Sequence, residues 1–224
     1  MRIHSDHSEP RIFVIGHDTS LRDYVKKSVP EHCDRTEWFS DLTEYQQACQ
    51  PTLTGCVVFE ARPDNNSSAD HQLTPLYQSC QLPILVLCHN ATVAMSVHAV
   101  KRGAFNFLEQ PSSPQILNHA VTDAVAWSET KYYRTRRRQE FEQLKATLSP
   151  REEQVYELLL QGQENKRIAL ALQISPSTVE KHRLSVVRKM GTENAVQLLN
   201  QKFEATGSLA ANSAPPKLLH KKAS

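Results

Sequence analysis

The sequence predicts an α/β domain of the doubly wound type, followed by a smaller all-α domain. In the first half of the 224-residue chain, short apolar runs alternate five times with amphipathic stretches, as in a parallel sheet covered by helices on both faces. The second half contains about four short helices with clear capping signals. The halves also differ in charge, because residues 1–125 carry a net −5 and residues 126–224 carry +7.

Composition excludes several classes of protein. The longest apolar runs have four to six residues, whereas a membrane span needs about 20. The polar N-terminus lacks the apolar core of a secretory signal. The five Cys are odd in number and form no Cys-x-x-Cys pair, which favours a reducing cytoplasm over a disulfide scaffold. No metal site is expected, because the ten His form no His-x₃-His pair.

The elements of the first domain, 11–125, follow from this alternation, and a polar segment at 1–10 is expected to be disordered. Unbroken apolar or aromatic runs predict buried parallel strands, and the amphipathic stretches between them predict covering helices. The expected strands are 12–15, 36–39 (weaker), 56–59, 84–87 and 105–108. The expected helices are 19–29, 41–49, 70–80, 91–103 and 113–128.

A helical linker is expected at 126–147, because the last of these helices runs on without Gly or Pro. Four arginines between 134 and 138 form either a solvated face or an arm that contacts a nucleic-acid backbone.

The second domain, 148–204, is punctuated by caps, and the tail at 205–224 has too little apolar content to pack. Ser149 and Glu152 form a capping box, and that helix is expected to end at Gly162. Asn165 is expected to cap a short second helix, and Ser175 a third that runs to Gly191.

The two middle helices, joined by a tight turn, have the layout of a helix-turn-helix. In the second of them, at 175–190, one side carries an apolar stripe and the other carries candidate DNA contacts. The helix N-terminus also presents Ser177 and Thr178 to a phosphate. The stripe is Val179, Val186 and Met190, and the candidate contacts are Glu180, Lys181, Leu184 and Arg188. The alternative is an ordinary helical bundle with a solvated charged face.

These segments resemble the LuxR-type helix-turn-helix at nearly every signature position. The matching segments are 148–152 (LSPRE), 165–169 (NKRIA), 174–183 (ISPSTVEKHR) and 189–191 (KMG). The resemblance implies that the helix at 175–190 enters the major groove of double-stranded DNA and that the last helix forms a homodimer contact. It also implies that Lys166 lies near the DNA backbone and that His182 is either structural or base-reading, with the structural role favoured. Arg183 adds to the basic face of the same helix.

The first domain resembles the receivers of FixJ/NarL-type response regulators, most clearly over 83–111. This resemblance implies a flavodoxin-like fold of five parallel strands. It also identifies the positions of the family's Mg²⁺-dependent phosphorylation site, and in this sequence all five differ from the family pattern. They are Gly16 and His17 for an acidic pair, Glu60 for the acceptor Asp, Cys88 for a hydroxyl residue and Gln110 for Lys.

Phosphoryl transfer is therefore not expected. Mg²⁺ prefers oxygen ligands, which Gly16 and His17 do not provide, and the longer side chain of Glu60 displaces the carboxylate. Glu60 either mimics a phosphorylated Asp or belongs to a fixed conformation, and the second is favoured. Cys88 is either an oxidation sensor or a small apolar residue, and again the second is favoured.

Together these features predict a cytoplasmic, DNA-binding transcription regulator that is not an enzyme, needs no cofactor and contacts no membrane. Its receiver-like domain is expected to act through self-association, a protein partner or a small ligand. The alternative is a protein-interaction adaptor with vestigial DNA binding. The basic residues opposing this alternative are Lys166, Lys181, Arg183 and Arg188.

Overall fold

The computed structural model describes residues 9–48, 54–62 and 69–207 of the chain. The chain divides into two units, Met1–Tyr132 and Tyr133–Ser224, at a boundary inside one long helix. Most of the segments expected to be disordered, 1–8 and 208–224, lie outside the described residues. No helix in the described ranges is long and apolar enough to cross a membrane.

The first unit contains a five-stranded parallel sheet, which confirms the predicted doubly wound layout. The strand order is β2-β1-β3-β4-β5, so the chain reverses direction across the sheet between β1 and β3. The strands are β1 (Arg11–Ile15), β2 (Thr36–Phe39), β3 (Gly55–Ala61), β4 (Ile84–His89) and β5 (Asn106–Gln110).

Helices cover both faces of this sheet. Alternate strand residues divide between two buried clusters: Ile12 and Val14 belong to one, and Phe13 and Ile15 to the other. A 3₁₀ segment, Pro30–Arg35, precedes β2. The helices are α1 (Thr19–Ser28), α2 (Leu42–Ala48), α3 (Ala69–Ser79), α4 (Val93–Arg102) and α5 (Pro114–Ala146).

Three strands extend further at their carboxyl ends than the apolar runs predicted. Parallel pairing continues there through polar residues, as where Glu60 is in register with Leu87 and His89 with Gln110. This extension matters for function, because the carboxyl edge of such a sheet is where its site-forming residues lie.

The second unit contains the end of α5 and four further helices. The predicted linker helix is confirmed as part of α5, which has 33 residues. The capping box of Ser149 with Glu152 is confirmed, and this helix ends at Leu160, two residues before Gly162. The helices are α6 (Pro150–Leu160), α7 (Asn165–Leu172), α8 (Pro176–Lys189) and α9 (Ala195–Thr206).

The predicted cap of α7 is wrong. Asn165 is the first helical residue, and Glu164 occupies the N-cap position without a side-chain capping hydrogen bond. The Asn165 side chain instead bonds to two residues of α8, a tertiary contact that local capping rules do not anticipate.

Candidate functional site

One face of α8 is exposed and combines basic, hydroxyl and apolar side chains. Leu184 is 64% exposed, and its neighbours on the same face are also exposed. On the opposite face, the apolar stripe of Val179, Val186 and Met190 is fully buried, which confirms the expected rotation of the helix. We call the exposed set the groove stripe, and its members are Ser177, Lys181, Leu184 and Arg188.

Hydroxyl groups surround the N-terminus of α8. Ser175 caps the helix by accepting a hydrogen bond from the backbone N–H of Thr178 at 3.1 Å. Its hydroxyl also lies 2.9 Å from the Ser177 hydroxyl and 2.8 Å from that of Thr178. Lys166 is exposed near the start of α7, and His182 is half-buried on α8.

Asn165 joins α7 to α8 through both ends of its amide. Its Nδ2 donates to Glu180 Oε2 at 2.5 Å, and its Oδ1 accepts from Arg183 at 3.1 Å. Glu180 and Arg183, both predicted to contact DNA, are therefore engaged within the protein. The sequence pattern predicted a capping role for Asn165, and this bridge was not predicted.

The N-cap region of α6 is tied to α8 by a buried carboxylate, that of Glu152, whose contacts extend beyond the predicted capping box. Glu152 accepts from Lys189 at 2.6 Å, from the Ser185 hydroxyl at 2.6 Å and from the Ser149 N–H at 2.7 Å. The Lys189 ammonium and these hydrogen bonds lower the pKa of Glu152 to about 2.

The last helix, α9, exposes an apolar stripe at helical spacing. Val196, Leu199 and Phe203 are 68%, 48% and 53% exposed. Their spacing of three and four residues places them on one face. Leu198 and Ala205 are buried in the core of the second unit.

In the first unit, the five positions of the receiver site lie at the carboxyl edge of the sheet. Gly16 and His17 follow β1, whereas Glu60, Cys88 and Gln110 lie at or near the ends of β3, β4 and β5. The fold thus brings together the residues that the resemblance singled out.

Glu60 occupies the space beside Gly16. A Cβ atom added to Gly16 would lie 2.9 Å from Glu60 Oε2, 3.1 Å from Glu60 Cβ and 2.5 Å from Leu21 Cδ2. The Glu60 side chain is only 7% exposed, and its Oε2 forms an ion pair with Arg62 at 2.9 Å. Arg62 was not predicted from the sequence, although it directly follows β3 and lies two residues from Glu60, a spacing that places side chains on the same face of an extended chain.

Two further receiver-site residues, Cys88 and Gln110, are also engaged locally, as is Asp18, which follows His17. Asp18 caps α1 by accepting a hydrogen bond from the Ser20 N–H at 2.9 Å. Hydrogen bonds from the backbone and the side chain of Ser20 lower the pKa of Asp18. Cys88 is buried, and burial raises the pKa of its thiol, with a further contribution from the charge of Glu109. A high thiol pKa favours the apolar interpretation of Cys88 over an oxidation sensor. Gln110 donates to the Ser112 hydroxyl at 3.2 Å.

A cavity of about 310 Å³ opens beside Glu60. Its polar lining comes from His17, Ser40, Asp41, Glu60 and Arg62. Across the described ranges, no group of three or more His, Cys, Asp or Glu side chains is arranged to hold a metal ion.

Comparison with known proteins supports both halves of this description. Residues 146–200 match the family model described as GerE, bacterial regulatory proteins, luxR family. The chain is 31% identical to the transcriptional regulatory protein TdiR of Thauera aromatica, over 84% of this chain and 83% of that protein. It is 30% identical to FixJ of Bradyrhizobium diazoefficiens, over 87% and 95% of the two chains.

Two solved structures are also similar. The response regulator StyR matches with a TM-score of 0.72 and 26% identity, over 87% of this chain and 98% of that one. Full-length FixJ from B. japonicum matches with a TM-score of 0.50 and 29% identity, over 89% and 98%.

A parallel 2-1-3-4-5 sheet joined to a helix-turn-helix unit defines the class of transcriptional response regulators. Within that class, the chain belongs to the FixJ/NarL-type regulators with a LuxR-type DNA-binding domain.

Proposed function

We propose that this regulator reads DNA through the groove stripe of α8. The observation that carries the proposal is Leu184, a large apolar side chain exposed between Lys181 and Arg188. In the major groove, such a side chain meets thymine methyl groups, while Lys and Arg reach base or phosphate acceptors. These exposed cations also oppose the adaptor alternative, in which a basic groove face has no role.

Base readers and backbone contacts can be separated by competition. Duplexes selected from a random pool by the purified chain provide the best site, and a random duplex provides the reference. Lys181→Ala should cost about 1–3 kcal/mol on the best site and much less on random DNA. Lys166→Ala should instead weaken both and lower the salt slope by about one. Equal weakening of both duplexes by Lys181→Ala would make Lys181 a phosphate contact.

We also propose a homodimer that forms through the α9 stripe. The support is an exposed row of Val196, Leu199 and Phe203 on the helix that the LuxR-type resemblance assigns to dimer contact. Burying such a row between two copies removes apolar surface from water, which is favourable.

The receiver-like unit, we propose, works without phosphorylation. Its residues do not suit Mg²⁺, because Gly16 has no side-chain ligand, Asp18 caps a helix and the Glu60 carboxylate already pairs with the Arg62 cation. Glu60 also fills space that an acidic side chain at position 16 would require. Its engagement with Arg62 favours a fixed conformation over a mimic of a phosphorylated Asp.

A direct test incubates the full chain with acetyl phosphate and Mg²⁺ and measures its intact mass. No added phosphate is expected, while a related regulator with an Asp acceptor, treated in parallel, should gain one. A mass gain mapped to residues 55–65 would contradict the proposal.

Control of this unit then falls to a protein partner, self-association or a small ligand. The cavity beside Glu60 supports the ligand option, since ligand sites of parallel sheets occur at the carboxyl ends of the strands, where the strand order reverses. A regulator that binds chromosomal DNA acts in the bacterial cytoplasm.

A further inference from the structure

Asn165 stands out because its side chain does not perform the capping role that the sequence pattern predicted. It begins α7, yet it makes no capping bond and reaches α8 instead. An amide has a donor end and an acceptor end, and here each end faces the charge that suits it. The donor faces the Glu180 carboxylate, and the acceptor faces the Arg183 guanidinium.

Helix geometry shows which way this bridge draws Glu180. At 3.6 residues per turn, Glu180 lies roughly 70° to one side of the centre of the groove stripe, and Arg183 lies roughly 130° away on that same side. Because Asn165 bonds to both, it contacts α8 on the side away from the stripe. The hydrogen bond therefore draws the carboxylate off the face that carries Lys181 and Leu184.

A carboxylate on the groove face has a cost. DNA presents dense phosphate charge, and among base edges a carboxylate finds a good partner mainly in the amino group of cytosine. A released Glu180 would therefore repel most sequences.

We propose that Asn165 is a positioning residue that withholds the Glu180 carboxylate from DNA and so keeps the groove stripe electropositive. The inference rests on the proposed DNA-binding function. It differs from the expectation that Glu180 itself reads a base.

The hydrogen bond can be tested by exchanging its donor and acceptor in the full chain. Asn165→Asp keeps the acceptor for Arg183 but places a new carboxylate against the carboxylate of Glu180. Glu180→Gln removes the charge that Asn165 restrains. The double variant restores both the hydrogen bond and the net charge of the unmodified protein, with donor and acceptor reversed.

Affinities are measured by competition on the selected duplex and on a random duplex. Asn165→Asp should weaken both at least tenfold, because repulsion by phosphate does not depend on sequence. Glu180→Gln alone should change either affinity less than threefold, and the double variant should return to within threefold of the unmodified chain. Asn194→Asp adds the same charge at the cap of α9, where a carboxylate caps equally well, and should leave affinity nearly unchanged.

Thermal unfolding of each variant separates positioning from folding. If Asn165→Asp unfolds the domain, Asn165→Ala replaces it, and adding Glu180→Ala should then recover binding. The proposal is overturned if Asn165→Asp binds normally, if the exchange fails to restore affinity, or if Glu180→Gln alone abolishes sequence preference. An unmodified chain that binds no duplex overturns the proposed function as well, so the two failures are distinguishable.

Discussion

At the scale of single residues, Gly16 and Glu60 form one arrangement and not two independent departures from a family pattern. The absence of a side chain at position 16 makes room for the longer carboxylate, and Arg62 neutralises that carboxylate. A substitution at either position should therefore depend on the residue at the other.

We expect Gly16→Ala to destabilise the receiver-like unit by about 1–3 kcal/mol, because the added methyl group overpacks against Leu21 and Glu60. Adding Glu60→Ala should recover part of this loss, whereas the clash with Leu21 remains. Denaturant unfolding monitored by tryptophan fluorescence measures the effect specifically, since both Trp residues, Trp38 and Trp127, lie in this unit. Strictly additive losses would contradict the coupling.

Glu152 gives the helix-turn-helix unit a defined dependence on pH. Its pKa is about 2 in the folded protein against an ordinary value of 4.5, so its ionised form stabilises folding. A depressed pKa adds stability that is complete above the unfolded value and is lost as pH falls through the folded one. The linkage amounts to roughly 3 kcal/mol, lost between about pH 5 and pH 2.

Glu152→Gln should therefore lower stability at pH 7 and flatten its decline in acid. Hydrogen exchange of α6 and α8 amides in the full chain, followed by mass spectrometry, reports on this unit. Glu164→Gln is the matched control, because Glu164 is exposed and makes no capping bond. A Glu152→Gln protein with the same acid sensitivity as the unmodified chain would exclude this role.

At the scale of elements, the two faces of α8 should respond oppositely to truncation. Val186→Ala removes buried methyl groups and should cost about 2 kcal/mol. Leu184→Ala should change the free energy of unfolding by less than about 0.5 kcal/mol, since its side chain is 64% exposed, and should alter sequence preference instead. Unfolding and duplex selection on both variants provide the comparison, and a strongly destabilised Leu184→Ala would mean that α8 is rotated.

Periodicity predicted such elements well because burial repeats along the chain. The strands and the buried stripe of α8 are where apolar spacing placed them. Contacts between elements could not be predicted from the sequence. Asn is a residue type that commonly caps helices, and the partners of Asn165 become apparent only where α7 approaches α8. The fit of Glu60 beside Gly16 likewise depends on the register of β1 against β3.

At the scale of the whole molecule, charge and structure divide the chain at nearly the same place. Residues 1–132 carry a net −5 and residues 133–224 carry +7, as do the halves drawn from sequence alone. The acidic unit has the same sign of charge as the DNA phosphates, so the electrostatic attraction to DNA comes from the basic unit. The number of phosphates neutralised then depends on how many basic units act together.

The proposed dimer therefore predicts a salt dependence that the α9 stripe controls. One helix-turn-helix unit that neutralises 4–6 phosphates gives a log–log salt slope of roughly −4 to −5, and two units on a duplex with two half-sites should give about twice that. Leu199→Ser with Phe203→Ser should halve the slope and yield monomers in sedimentation. Ile116→Ser removes a similarly exposed apolar side chain from α5 and should change neither measurement. If the α9 variant keeps the full slope and still sediments as a dimer, the second copy associates through another surface.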